Sequence, residues 1–156
     1  MRKLILLLVL VTAGCSIEKR GAPGTDPEAE VVMGGQSETD SVEVIISAPS
    51  YAVLGDAVPI SVVVRNNTDR RIDLHLTGRE TAFDIIVERA DSTLVWRRLA
   101  NKTVQQILQL RPLGPGESFT LSDQWQAGEA GEYVVRGELP TDGEPLRSDP
   151  VRIVIR

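Results

Sequence analysis

One cysteine and one histidine stand in the 156 residues, and each scarcity removes a chemistry. A single thiol forms no internal disulfide, no multi-cysteine zinc site and no iron–sulfur cluster. A single imidazole removes paired-histidine metal motifs and leaves His75 as the one base for a His-dependent triad. Aromatics make up 4% of the chain, so a core has to be assembled from Val, Ile and Leu. Clustered bases are missing too: 17 Lys and Arg face 22 Asp and Glu, a formal net charge of −5. Nucleic-acid binding draws its affinity from clustered cations on phosphates, so no nucleic-acid partner is expected. The uninterrupted apolar run Leu4–Val11 falls far short of the roughly 20 residues that span a bilayer. What remains is ordinary globular usage, 42% hydrophobic and 25% charged, in a length that suits one domain with a tail.

The start of the chain has the layout of an export signal. Met1-Arg2-Lys3 is a positive n-region and Leu4–Val11 an apolar h-region, which makes residues 1–14 a signal peptide rather than part of the fold. Val11-Thr12-Ala13-Gly14-Cys15 resembles the lipobox of bacterial lipoproteins, in which the cysteine becomes the lipidated N-terminus. Thr12 stands where Leu is commonest. Each buried CH₂ contributes about 0.8 kcal/mol, so several acyl chains on Cys15 hold a protein to a membrane without a transmembrane helix. Cleavage removes Arg2 and Lys3 and leaves 15 bases against 22 acids, a net of −7, so anionic lipid gives no electrostatic help. Ser16, in place of Asp after the cysteine, resembles the signal for outer-membrane delivery in hosts that have that membrane.

Residues 15–41 read as a lipidated end followed by a flexible acidic linker. Gly21, Pro23, Gly24, Pro27, Gly34 and Gly35 break periodicity, and from residue 16 on the segment holds six acids and two bases. As a coil it would reach roughly 25–30 Å. Val31-Val32-Met33 also suits a short docking strand, but a tether is the expectation.

From Val42 to the end, residues 42–156, the apolar period is two. Val42, Val44 and Ile46 alternate, as do Val58, Ile60, Val62 and Val64, then Ile72, Leu74 and Leu76, then Phe83, Ile85 and Val87. Leu94 and Trp96 follow across Ala90-Asp91-Ser92, and Phe119 with Leu121, Tyr133 with Val135, and Val151, Ile153 and Ile155 supply three more strands. Asn66-Asn67-Thr68-Asp69, Gly114-Pro115-Gly116 and Asp142-Gly143 mark turns. The stretch from Val104 to Arg111 fits both a helical turn and a strand; an all-β setting favours the strand, with Pro112 ending it either way. Seven to nine short strands predict an all-β, immunoglobulin-like antiparallel β-sandwich, with Gly131-Glu132-Tyr133 as a tyrosine corner.

Several of these residues, in their order, resemble the BsuPI domain, named for an intracellular proteinase inhibitor. They are Asn66-Asn67-Thr68-Asp69, Phe83-Asp84-Ile85-Ile86-Val87, Leu94-Val95-Trp96-Arg97, Leu110, Pro115-Gly116-Glu117, Trp125 and Gly131-Glu132-Tyr133-Val134-Val135. The resemblance runs from about Ala57 to Leu139 and rests on turns, core aromatics and a strand corner, none of them catalytic. It implies a noncatalytic protein-binding domain with a protease as partner. The export signal sets this chain apart from an intracellular inhibitor, so a cytoplasmic protease is not carried over as the target.

The chemically suggestive residues mostly admit plainer explanations. His75 lies on the polar face of its strand, and no Gly-x-Ser-x-Gly elbow accompanies it, so no enzyme is expected. Asp84, Glu88 and Asp91 suit a solvated strand face better than a calcium cage of 6–8 oxygens, and the same holds for Asp142-Gly143-Glu144 and Asp149. No cofactor or metal is expected. Trp96, in register with Leu94, is expected in the core, and Trp125 as a partly exposed edge residue, the better binding candidate of the two. For inhibition a domain needs an exposed loop that offers an extended segment yet resists cleavage. Thr77–Ala82, with Gly78, Arg79 and Glu80, and Arg97–Thr103, with Arg98 and Leu99, both offer an arginine to a trypsin-like pocket, although arginine is common in surface loops. The expected protein is a membrane-anchored lipoprotein of the bacterial cell envelope that binds a protein, with protease inhibition as one activity; the alternative is a structural or assembly lipoprotein without inhibition.

Overall fold

The computed structural model describes residues 31–34, 41–78, 82–105 and 107–156. Residues 1–30, which hold the expected signal peptide and Cys15, lie outside the described residues, as does most of the expected linker. Every regular element among the described residues is a strand: β1 (Val31–Gly34), β2 (Val42–Pro49), β3 (Tyr51–Ala52), β4 (Ala57–Asn66), β5 (Ile72–Thr77), β6 (Asp84–Arg89), β7 (Leu94–Arg97), β8 (Leu108–Leu113), β9 (Ser118–Gln126), β10 (Gly131–Leu139), β11 (Leu146–Arg147) and β12 (Val151–Ile155). The all-β expectation is met, with strands where the alternation indicated.

Two sheets form the sandwich. One has the order β1-β2-β4-β9, the other β3-β12-β10-β6-β7 with β11 on β10, and β5-β8 forms a separate two-stranded ribbon. Pairing is antiparallel except where β3 runs parallel to β12. Alternate residues of β2 and β4, among them Val44, Ile46, Val58, Ile60, Val62 and Val64, are fully buried against Ile85, Val87, Val135 and Ile153 of the facing sheet. Strands with one buried face and one wet face give this alternation, and burying the apolar face drives the two sheets together. The sheets meet closely at Gly137, where a Cβ would lie 2.9 Å from Val62 Cγ2.

Turn chemistry locks the ends. Asn66 has no exposed surface; its Nδ2 donates to the carbonyls of Arg70 (2.7 Å), Leu113 (3.1 Å) and Gly114 (2.9 Å), and its Oδ1 accepts from the Thr68 amide (2.9 Å). One buried amide thus fastens the turn after β4 to the turn after β8. Gly116 takes a φ of +67° behind Pro115, and Glu117 N–H donates to Gly114 O at 3.1 Å, the pattern of a type II turn. The tyrosine corner forms as expected: Tyr133 donates its hydroxyl to Glu129 O at 2.8 Å.

Within the segment read as a linker, Val31–Gly34 pairs with the edge of β2, with Val31 opposite Pro49 and Gly34 opposite Ile46, the docking strand that Val31-Val32-Met33 also suited. Two local expectations are corrected. Pro112 does not end β8 but sits within it, opposite Asp73. β8 pairs with β5 alone, and an edge strand tolerates a proline because its outward side needs no N–H. Asp84, read as solvated, is fully buried.

Candidate binding site at the open edge of the sandwich

β7 and β9 are the last strands of their sheets, and both edges open on the same side of the molecule. The β6–β7 hairpin that sets this edge turns at Ser92, whose φ is +67°, while Asp91 Oδ1 accepts the Thr93 amide at 3.0 Å. Hydrogen bonds from the Thr93 side chain and then its amide hold the Asp91 carboxyl below its ordinary value. A register shift between Val87 and Glu88 lets β7 swing away from the core.

Asp84 organises the turn after β7. Its Oδ2 accepts from Arg97 Nε, and its Oδ1 accepts the Leu99 amide at 2.9 Å. The hydrogen bond to Asp84 holds the Arg97 guanidinium above its ordinary pKa, and Arg97 also faces Glu138 at 3.7 Å. Arg98 is tied down just as firmly. Its Nε donates to Asp123 Oδ2 (2.7 Å), its Nη1 to Phe83 O (2.8 Å), and its guanidinium carbon lies 3.7 Å from the centre of the Phe83 ring. Burial pushes the Asp123 carboxyl up, but the Gln124 amide and Arg98 outweigh it and hold it low. Two successive turns then close, Ala100 N–H to Arg97 O and Lys102 N–H to Leu99 O, each at 3.0 Å. Asn101 between them takes a φ of +63°.

The result is a rigid turn standing beside an open groove of about 450 Å³, lined by Leu94, Val95, Trp96, Asn101, Lys102 and Asp123. Leu94 and Val95 are exposed on β7, an apolar wall with a cationic lip. A second cleft of about 240 Å³ is lined by Trp96 together with Arg89, Trp125 and Glu129. Chemically this edge offers contact area, the backbone of an edge strand and positive charge.

Trp125 does not take the role expected of it, and Trp96 takes its own only in part. Trp125 is 2% exposed and stacks edge-to-face on Tyr133 at 5.0 Å, because its place opposite Val58 in the β4–β9 ladder points it into the core. It is therefore not an exposed binding residue. Trp96 is half-buried, packing against the core as expected on one side while lining both clefts on the edge strand β7; Leu94, its register mate, is 56% exposed.

The other candidate residues separate into two places. Gly78 is buried with a φ of +99° and donates its N–H to Ile107 O at 2.9 Å, so it shapes a turn. Arg79 and Glu80 lie outside the described residues. Arg98 and Leu99 belong to the clamped turn, Leu99 through its amide. His75 is exposed and pairs with Asp142, Nδ1 to Oδ2 at 3.0 Å, a contact across 67 residues that no local pattern signals. Among the described residues no three His, Cys, Asp or Glu side chains gather to hold a metal ion. What sequence reasoning missed was Asp84 as the organising group. Ile86 lies opposite Arg97, so Asp84 is its diagonal neighbour on the same face, a pairing the hairpin register makes readable once known.

The sequence profile of the BsuPI family, described as intracellular proteinase inhibitor, matches residues 45–144, a span that takes in the clamped turn and the groove. No curated protein sequence matches the chain. Among solved structures, a β-glucosidase from Listeria innocua is similar at 12% identity and a TM-score of 0.41, over 81% of this chain and 16% of that one. A β-glucosidase from Erythrobacter marinus shares 16% identity at a TM-score of 0.42, over 82% of this chain and 16% of that one. A CARDB domain from Pyrococcus furiosus shares 13% identity at a TM-score of 0.42, over 86% of this chain and 95% of that one. The chain thus spans about a sixth of the β-glucosidases it matches, and likenesses this distant carry no argument about its activity.

Proposed function

From a chain that belongs to the BsuPI family of intracellular proteinase inhibitors, we propose a noncatalytic, protein-binding inhibitor domain that is displayed on a bacterial membrane by lipid on Cys15. The observation that carries the reading is the family match over residues 45–144. The clamped turn supports it. An inhibitor must offer a surface that is already in its bound shape, because ordering a loop on binding costs about 0.5–1.5 kcal/mol per immobilised side chain. Asp84, Arg97 and Arg98 remove that cost in advance. The anchor is supported by the n-region, the h-region and Ala13-Gly14-Cys15, and it puts the target protease in the cell envelope.

Titration decides the reading. The full chain, purified in detergent, is added to serine proteases of trypsin-like, chymotrypsin-like and subtilisin-like specificity. Stoichiometric loss of activity in at least one supports inhibition. An unaffected panel favours the second reading, an assembly lipoprotein, for which the exposed Leu108 and Leu110 on edge strand β8 speak.

A further inference from the structure

We propose that Val53 and Leu54, at the tip of the β3–β4 loop, dip into the bilayer that holds the anchor and so fix the pose of the domain on the membrane. The proposal rests on the lipid-anchor reading above and deepens it by naming a second membrane contact. Three observations converge on this loop.

The first is the end of the sandwich at which the chain leaves it. Val31 lies opposite Pro49 in an antiparallel pair, so the segment leading back to Cys15 departs where β2 finishes. The β3–β4 loop stands at that same end. Ala52 is opposite Ile155, Ile155 is opposite Gly131, and Ala57 is opposite Gln126. Fifteen residues, 16–30, separate Cys15 from Val31. A coil of that length spans about 20 Å on average, so an acylated Cys15 keeps this end of the domain near the bilayer. The exposed Leu108 and Leu110 are placed differently. Their ribbon meets Thr141, beyond Leu139 at the opposite end of β10, far from the anchor.

The second is the make-up of the loop. Its tip exposes two neighbouring apolar side chains, Val53 at 57% and Leu54 at 46%. The backbone beneath them is prepared for a place without water. Leu54 N–H donates to Arg156 O at 2.7 Å, Asp56 N–H to Val53 O at 3.1 Å, and Gln126 Nε2 to Gly55 O at 3.1 Å. An unpaired backbone group is costly in lipid, and four of those on this turn are already paired. Gly55 takes a φ of +90°, and a Cβ there would meet nothing within 4 Å, so the tip stands clear of its surroundings.

The third is what flanks the tip. Half-buried Tyr51 lies just behind it, with the Arg156 guanidinium carbon 5.9 Å from the ring centre. Tyrosine settles at the level of lipid headgroups, and arginine pairs well with phosphate. Asp56, exposed on the same turn, offsets the charge of Arg156, so apolar area and not anionic lipid sets the contact. Two side chains are too few to hold a protein on a membrane alone. A short tether to lipid supplies the effective concentration that makes a weak contact persist.

The test attaches a polarity-sensitive dye to a cysteine at the tip. The full chain is purified from the membrane fraction as Leu54→Cys or as Leu110→Cys, labelled, and reconstituted into phosphatidylcholine vesicles; an acylated Cys15 is closed to the label. Flotation with the vesicles reads the anchor, while emission colour and quenching by nitroxide-bearing lipid read the loop. Both chains should float. Only the dye on Leu54→Cys should shift to the blue and lose emission to nitroxide lipid, equally at low and high salt. Adding Val53→Asp should reverse both signals without stopping flotation, and the thermal melts should match wild type because these positions are exposed. A dye on Leu54→Cys as wet as that on Leu110→Cys, in chains that float, overturns this proposal and leaves the anchor standing. A blue shift that grows with protein density and escapes nitroxide lipid would put a second copy over the loop, and also overturns it. Chains that neither float nor carry acyl mass remove the anchor reading, and the proposal falls with it.

Discussion

Asp84 and Arg97 face each other diagonally across the β6–β7 hairpin, a fully buried carboxylate receiving the Nε of a guanidinium that is 45% exposed. The asymmetry predicts unequal costs for removing the two partners. Arg97→Ala strands a buried anion whose remaining partner is the Leu99 amide, and breaking a buried pair in that way costs about 3–5 kcal/mol. Asp84→Asn leaves Arg97 free to hydrate, so the cost is that of a weakened buried hydrogen-bond set, about 1–3 kcal/mol. Urea melts of both variants should therefore rank Arg97→Ala below Asp84→Asn. Equal midpoints would mean that Asp84 is not the charged centre of the clamp.

The tryptophans give a second ranking. Trp125 is enclosed between β4 and Tyr133, and truncating a buried aromatic to Ala costs about 3–5 kcal/mol against a typical total of about 5–15. Trp96 is half-buried and should lose distinctly less when truncated. Thermal melts of Trp125→Ala and Trp96→Ala check the order, and a reversed order would return Trp96 to the core.

These two pairs also show what the sequence could and could not disclose. Strands β2, β4, β5, β6 and β10 are legible because one face is buried along their length, so apolar residues recur at every second position. The tyrosine corner is legible because its partners are four residues apart. At the edges the signal fails. β7 is four residues long and bulged, so the alternation that put Leu94 and Trp96 inside had no second sheet to enforce it. β1 looked like linker because it ends in the breakers Gly34 and Gly35, while the open edge of β2 that receives it is a tertiary fact. Asp84 and Asp142 have partners 13 and 67 residues away, which charge pattern alone does not pair.

Gly137 and Val62 approach closely between the sheets, 2.9 Å for a Cβ built on the glycine. Gly137→Ala should cost about 1–3 kcal/mol through overpacking, because both backbones are fixed in ladders. Val62→Ala makes its own cavity but opens the space the new methyl needs. The double variant should therefore be more stable than the sum of the single losses, a coupling readable from four denaturation curves. Strict additivity would show that the sheets relax apart instead.

Lipid on Cys15 predicts a mass. The membrane fraction should yield a chain lacking residues 1–14 with added acyl mass, and Cys15→Ser should keep the unprocessed precursor or release the domain. Intact-mass spectrometry reads both. A water-soluble wild-type chain of full-length mass would remove the anchor and leave the domain's own properties unchanged.

Acid should loosen the clamped turn before it unfolds the sandwich. Burial pushes the Asp123 carboxyl up, yet the Gln124 amide and Arg98 together bring it below its ordinary value. A carboxylate with a lowered folded pKa contributes stability that is fully present above the unfolded value, about 3.9, and is lost as pH falls through the lower folded value. Protonating Asp123 frees Arg98 Nε, the link between the turn after β7 and strand β9. Hydrogen exchange at the amides of Ala100 and Lys102, which close the two turns, should therefore quicken as the pH falls below the ordinary carboxylate range, ahead of core amides such as Val62, once the intrinsic pH dependence is divided out. In Asp123→Asn the same amides should exchange fast at neutral pH and show little further acid response. Turn amides that stay protected until the core opens would mean that Asp84 alone holds the turn, and that Arg98 and Asp123 are dispensable to it.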